Sequence, residues 1–180
     1  MKKRNTILVV DDLEMNRAIL SNIFKKKYNI AEAIDGDEAI EYVRNNSNSI
    51  VAILLDLVMP NVSGIEVLKT LKEEKLGEEI PMFIITADNS EEVMYEAYEL
   101  GVKDILEKPF VPYFLKKRID NVIELYKMRE EKRIEVLKDD KNLLEMLNKV
   151  ANIHSKMEES EIDSIKELAQ KFLSKFEENR

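Results

Sequence analysis

The stretch ILLDLVMPNVSGIEVL, residues 53–68, decides how the chain is built. Ile53, Leu54 and Leu55 end an unbroken apolar run that stops at a single carboxylate, Asp56. Met59-Pro60 and Gly64 follow, and from Gly64 onward the apolar residues recur at helical spacing. A run that is apolar at every position reads as a strand covered on both faces, as in a parallel sheet. An unpaired carboxylate buried in such a sheet costs several kcal/mol or takes up a proton. Asp56 must therefore emerge at a rim or meet a cation.

Working outward, four more short apolar runs lie at residues 7–10, 29–33, 82–86 and 104–107, with the run that ends before Asp56 covering 50–55; of the five, the first, third and fourth are continuous. Between them, residues 15–26, 37–44, 64–72 and 91–100 carry apolar side chains with a period near 3.6. Strands alternating with helices predict right-handed βαβ units and a parallel sheet. The expected fold is α/β, a five-stranded parallel doubly wound sheet of the flavodoxin-like kind, followed by an all-α C-terminal extension. In that architecture a site lies outside the carboxyl ends of the strands. Strand one ends in Asp11-Asp12, strand three in Asp56, strand four in Thr86 and strand five in Lys108-Pro109.

Three carboxylates, a hydroxyl and an ammonium thus converge on one rim. The acids repel one another, and the group is tolerable mainly with a cation among them. Oxygen ligands without His or Cys point to a hard ion, and a small ligand set that leaves room for water and phosphate favours Mg²⁺ over Ca²⁺. Lys108 neutralises part of the cluster and can bond a phosphoryl oxygen, and the Thr86 hydroxyl can donate to the same group. A metal, a lysine and a hydroxyl are the equipment for holding a phosphoryl group in transit. Singly, each residue has a bland reading: Asp-Asp opens helices, Thr favours strands, and Lys-Pro says little. The joint placement at the ends of four strands carries the functional reading.

The stretches ILVVDD (7–12), ILLDLVMPNVSGIEVL (53–68), PMFIITA (81–87) and ILEKPF (105–110) resemble the receiver domain of two-component response regulators, over residues 5 to about 127. The resemblance implies that Asp56 is the phosphoacceptor and that Asp11, Asp12 and Asp56 hold Mg²⁺ together with the backbone carbonyl of Leu57. It makes Thr86 the switch hydroxyl and Lys108 the phosphate-binding lysine, with a cis bond before Pro109. A histidine kinase or phosphotransfer protein is the implied partner, and the chain is expected to be a switch rather than an enzyme. Three residues depart from the pattern. Ile105 stands where an aromatic switch residue is usual, and Val58 and Asp88 flank the phosphoryl position, where they would modulate its loss to water.

The bulk numbers bound the alternatives. A net charge of −8 argues against a nucleic-acid surface. No apolar run is long enough to span a membrane, and the run after MKKRNT is too short for a signal-peptide core. With no cysteine in 180 residues, a cytoplasmic location is expected. Residues 1–112 carry the acidity, whereas 113–180 are balanced and lack glycine. The expected domains are a receiver over 1–127 and a helical extension over 128–180, made of a signalling helix and short helices. A break is expected near Lys138-Asp139-Asp140, with one further helix over 142–157 and another from Ser160. His154, the only histidine, reads as a solvated or capping residue sooner than as a phosphate donor. Output through the face of the fourth helix, fifth strand and fifth helix, or through dimerisation of the tail, is the leading expectation. The alternative is a relative of a cyclic-dinucleotide phosphodiesterase or phosphatase using the same metal site.

Overall fold

The computed structural model describes residues 4–88 and 90–154. The elements run β1 (Thr6–Val10), α1 (Glu14–Phe24), β2 (Asn29–Ala33), α2 (Gly36–Asn46), β3 (Ile50–Leu55), α3 (Gly64–Glu73), β4 (Met82–Thr86), α4 (Glu91–Glu99), β5 (Asp104–Glu107) and α5 (Pro112–His154). All strand pairs are parallel, in the order β2-β1-β3-β4-β5. The expected doubly wound sheet is therefore present. Every residue of β3 is buried, whereas β2 and β5, at the two edges, are partly open. Those edge strands are also the ones whose sequences are not uniformly apolar.

Two apolar layers cover the sheet. Leu8, Ile53 and Leu55 point to the side packed by Val43, Val67 and Leu71 of α2 and α3. Ile7, Val9 and Leu54 point to the other, where Phe24 of α1 and Leu115, Ile119 and Ile123 of α5 close the core. Alternation along each strand sends successive side chains to opposite layers, so both sets must be apolar. Full burial of side chains of this size contributes about 1.5–3 kcal/mol each.

Local chemistry sets the helix starts. Asp35 caps α2 by accepting from Glu38 N–H at 2.9 Å. Ser63 and Glu66 form a reciprocal capping box on α3, so the segment leaving β3 turns into helix at a fixed point. Gly64 is required here for space: a Cβ would lie 2.3 Å from the carbonyl oxygen of Asp56. Only glycine lets the start of α3 approach the backbone of the acid so closely.

Contacts divide the chain into a unit of Met1–Arg129 and a unit of Glu130–Arg180. The break expected near Lys138-Asp139-Asp140 is corrected: α5 runs through these residues without interruption. Aspartate in a helix interior costs only about 0.7 kcal/mol relative to alanine, and the segment holds no glycine or proline to stop it. The separate helix expected over 142–157 is accordingly the end of α5 as far as His154, while residues 155–157 and the helix expected from Ser160 lie outside the described residues. The side chain of His154 does too.

Far from the sheet's carboxyl end, α5 is pinned to the turn between α1 and β2 by a polar knot. The Asp120 carboxylate accepts from the Tyr28 hydroxyl at 2.7 Å and from Lys27 Nζ at 3.1 Å, and it pairs with Lys116 at 3.1 Å. Burial, and then the bond to Asp120, push the Tyr28 phenol up to about 12. The folded chain thus holds this proton above the ordinary value of 10.0, so the phenol's stabilisation is complete below pH 10 and drains away towards about 12. In Tyr28→Phe, urea denaturation should show lower stability than the parent at neutral pH, with the difference shrinking across that alkaline window. A constant difference would place the phenol outside the linkage.

Candidate functional site

The site grows out of strand register. Val10 of β1 pairs with Leu55 of β3, so the next residue on each chain, Asp11 and Asp56, leaves the sheet at the same level. Backbone bonds just beyond the strands fix these positions: Asp56 N–H donates to Val10 O at 2.9 Å, and Lys108 N–H to Thr86 O at 2.8 Å. In a 2-1-3-4-5 sheet, β1 and β3 flank the point where the winding direction reverses, and their loops part to leave a crevice there.

Lys108 closes the crevice. Its Nζ donates to Asp11 Oδ2 at 2.7 Å and to Asp56 Oδ2 at 2.6 Å. Both acids are nearly buried, at 1% and 7% relative exposure. This is the cation that the isolated carboxylate of the sequence called for. Burial works against the Lys108 charge, but the hydrogen bonds and charges of Asp11 and Asp56 outweigh it and raise its pKa above the usual lysine value. The bridge therefore stays charged through the neutral range, and the stability it contributes is lost only as pH rises past that of a free lysine.

The remaining expected residues divide into those the fold gathers and those it sets aside. The carboxylate oxygens of Asp11, Asp12 and Asp56 lie within 4.8 Å of one another, with Asp12 the most open of the three. Asp56 Oδ1 accepts weakly from Val58 N–H at 3.3 Å, and the Val58 side chain is 62% exposed. Thr86 is wholly buried at the end of β4, and its oxygen accepts from Asp88 N–H at 3.1 Å, leaving its own proton free to donate. The Asp88 carboxylate turns to Ser90 N–H at 2.9 Å. Ile105 is buried in the apolar layer that also holds Ala97 of α4, and the Lys108-Pro109 bond is cis. Leu57 sits apart from this set, because its carbonyl accepts Gly64 N–H at 3.0 Å. One lone pair on that oxygen is therefore spent on the α3 turn.

Two residues escaped the sequence reading. Asn16 Nδ2 donates to Asp11 Oδ1 at 3.0 Å, beside Leu13 N–H at 3.0 Å. Arg17 Nη1 donates to the carbonyls of Asp11 at 2.9 Å and Asp12 at 3.1 Å. The signal available was a cation near the start of α1, where helix electrostatics favour an anion.

Comparisons with known proteins bear on the family and the fold. The model for the response regulator receiver domain matches residues 7–120. The chain belongs to that family, whose receiver domains are signalling switches of two-component systems. The response regulator SaeR of Staphylococcus aureus is 33% identical over 149 residues, 82% of this chain and 63% of SaeR. Histidine kinase P4 of Formosa agariphila is 32% identical over 123 residues, 68% of this chain but 9% of that protein. The chain thus spans less than two thirds of these relatives. Among solved structures, the Vibrio cholerae chemotaxis protein CheY4 is 27% identical with a TM-score of 0.61, covering 67% of this chain and 99% of CheY4. The receiver domain of Francisella response regulator 1452 is 29% identical with a TM-score of 0.60, covering 70% of this chain and 99% of that domain.

Lys108 and a divalent cation would compete for the same carboxylates. In Lys108→Ala, calorimetric titration should show tighter Mg²⁺ binding than in the parent. Urea denaturation without metal should show stability lower by about 1–3 kcal/mol, less than for a fully buried pair because water reaches part of the site. Weaker Mg²⁺ binding in the variant would contradict this competition.

Proposed function

We propose that this chain takes a phosphoryl group onto Asp56 from the phosphohistidine of a histidine kinase or phosphotransfer protein, and passes the signal on by changing its contacts. The observation that carries the reading is the Lys108 bridge between Asp56 and Asp11 at the mouth of a parallel sheet. A carboxylate oxygen of Asp56 attacks phosphorus, the P–N bond breaks, and the leaving imidazole keeps the electron pair and picks up a proton. Lys108 then follows the charge outward onto a phosphoryl oxygen. The Thr86 hydroxyl donates to another, while its oxygen remains tied to the loop through Asp88 N–H. Mg²⁺ supplies charge neutralisation for the oxygens in transfer.

Asp12 and Asp56 offer the more open lone pairs for that ion. Asp11 already accepts from Leu13, Asn16 and Lys108, so it contributes charge more than a free ligand oxygen. The Leu57 carbonyl is the weakest of the expected ligands, since Gly64 N–H already claims it. For output, the exposed Tyr95 and Tyr98 of α4 favour the face of α4, β5 and α5 as a contact surface, homodimerisation included. We take 128–180 as a separate helical extension serving the same end. Among the described residues no helix is long and apolar enough to cross a membrane, which fits a cytoplasmic partner of a kinase.

Treatment with acetyl phosphate and Mg²⁺ should add about 80 Da to the intact chain, the mass of one phosphoryl group. Asp56→Asn should take up none, and a parent that stays unmodified would refute the reading. Val58 brings no hydrogen bond to orient an attacking water, so Val58→Asn should shorten the half-life of the acyl phosphate. An unchanged half-life would remove residue 58 from control of phosphate loss.

A further inference from the structure

The loop that carries Asp11 and Asp12 lacks the usual helix cap. Leu13 is the N-cap of α1 and has no side chain able to accept from the first turn. The loop is held from the opposite direction. Arg17, one turn into α1 and only 11% exposed at its side chain, directs a single Nη1 at two successive carbonyls, Asp11 O at 2.9 Å and Asp12 O at 3.1 Å. Its Nε reaches out of the loop to Glu32 of β2 at 3.2 Å. Glu32 is in turn fixed by the Ser21 hydroxyl at 2.7 Å, on the next turn of α1. One planar cation therefore ties the acidic loop, the first helix and the edge strand together.

We infer that Arg17 is a positioning residue for the metal-binding acids, and that Glu32 is the outer anchor that aims it. A guanidinium has donors fixed in one plane, so bonds to two adjacent carbonyls and to Glu32 restrict the peptide units on both sides of Asp12. Once those units are fixed, the directions in which the Asp11 and Asp12 side chains leave the backbone are fixed with them. Asp12 needs this most. Asp11 is further held by Asn16 and Leu13 N–H, whereas no hydrogen bond restrains the Asp12 carboxylate among the described residues.

Charge and geometry make opposite forecasts here. If Arg17 acted only as a nearby positive charge, removing it would strengthen binding of a divalent cation. If it acts by fixing the loop, removing it weakens binding, because the ion must then order the loop itself. Partners that orient metal ligands typically change affinity by about 10–100-fold when lost. A lysine keeps the charge but cannot serve both carbonyls and Glu32 from one plane.

This inference rests on the reading of Asp11, Asp12 and Asp56 as an Mg²⁺ site, and the experiment separates the two. Mg²⁺ is titrated calorimetrically into the full chain as parent, Arg17→Lys, Arg17→Ala and Glu32→Gln, with urea denaturation of each in the absence of metal. The expected result is a dissociation constant raised about tenfold in both Arg17 variants, with lysine failing to rescue, and raised by less in Glu32→Gln. A parent that binds no Mg²⁺ would sink the site reading itself. A parent that binds, with Arg17→Lys equal to it or Arg17→Ala tighter, would overturn the positioning role alone. Should the Arg17 variants fail to fold, Glu32→Gln decides: it leaves Arg17 in place, and unchanged Mg²⁺ affinity there would also reject the inference.

Discussion

An ammonium held between two carboxylates that are almost out of reach of water governs this molecule. Lys108 must come from the last strand, Asp11 from the first and Asp56 from the third, so the bridge exists only if all three strands run parallel and in register. The sheet places two acids side by side where solvent screens them only a little. Either acid left alone there would be costly, and the lysine makes the arrangement tolerable. The same charge balance is what an incoming divalent ion and phosphoryl group would disturb. A site that is stable at rest and easily unbalanced suits a switch.

The surrounding structure serves that balance in layers. The two apolar layers hold β1, β3 and β4 rigidly enough to set atom positions at their ends. Around the rim, short polar devices set the loops: the capping box of Ser63 and Glu66 after β3, the Arg17 clamp after β1, and the Thr86–Asp88 link after β4. Gly64 belongs to the same set, since any larger residue would push the start of α3 against the backbone of the phosphoacceptor candidate. Each device acts on the backbone of a site residue or its neighbour, leaving the reactive oxygens to one another.

The long α5 follows different rules. Its first turns are decided by packing, with Leu115, Ile119 and Ile123 buried against the sheet. Further on, Val136, Leu137 and Met146 are exposed, and helical continuity rests on a sequence without glycine or proline. Alternating acids and bases there keep a helix in water without specifying what it touches. Local propensity was too weak a guide to whether Lys138-Asp139-Asp140 would break that helix, because a capping aspartate and an interior one differ by only about 1 kcal/mol.

The sequence by itself determined the strand and helix order, the acids at the ends of the first and third strands, and the lysine at the end of the fifth. Apolar periodicity and strand-end chemistry are local properties, and they are written residue by residue. Only the tertiary structure decided that Lys108 pairs with Asp11 and Asp56 together, that the Leu57 carbonyl turns to Gly64, and that Arg17 grips the acidic loop. Those facts depend on where the ends of distant segments meet and which lone pairs are already taken. No linear spacing encodes them, because hydrogen-bond partners are chosen among neighbours that the fold itself creates.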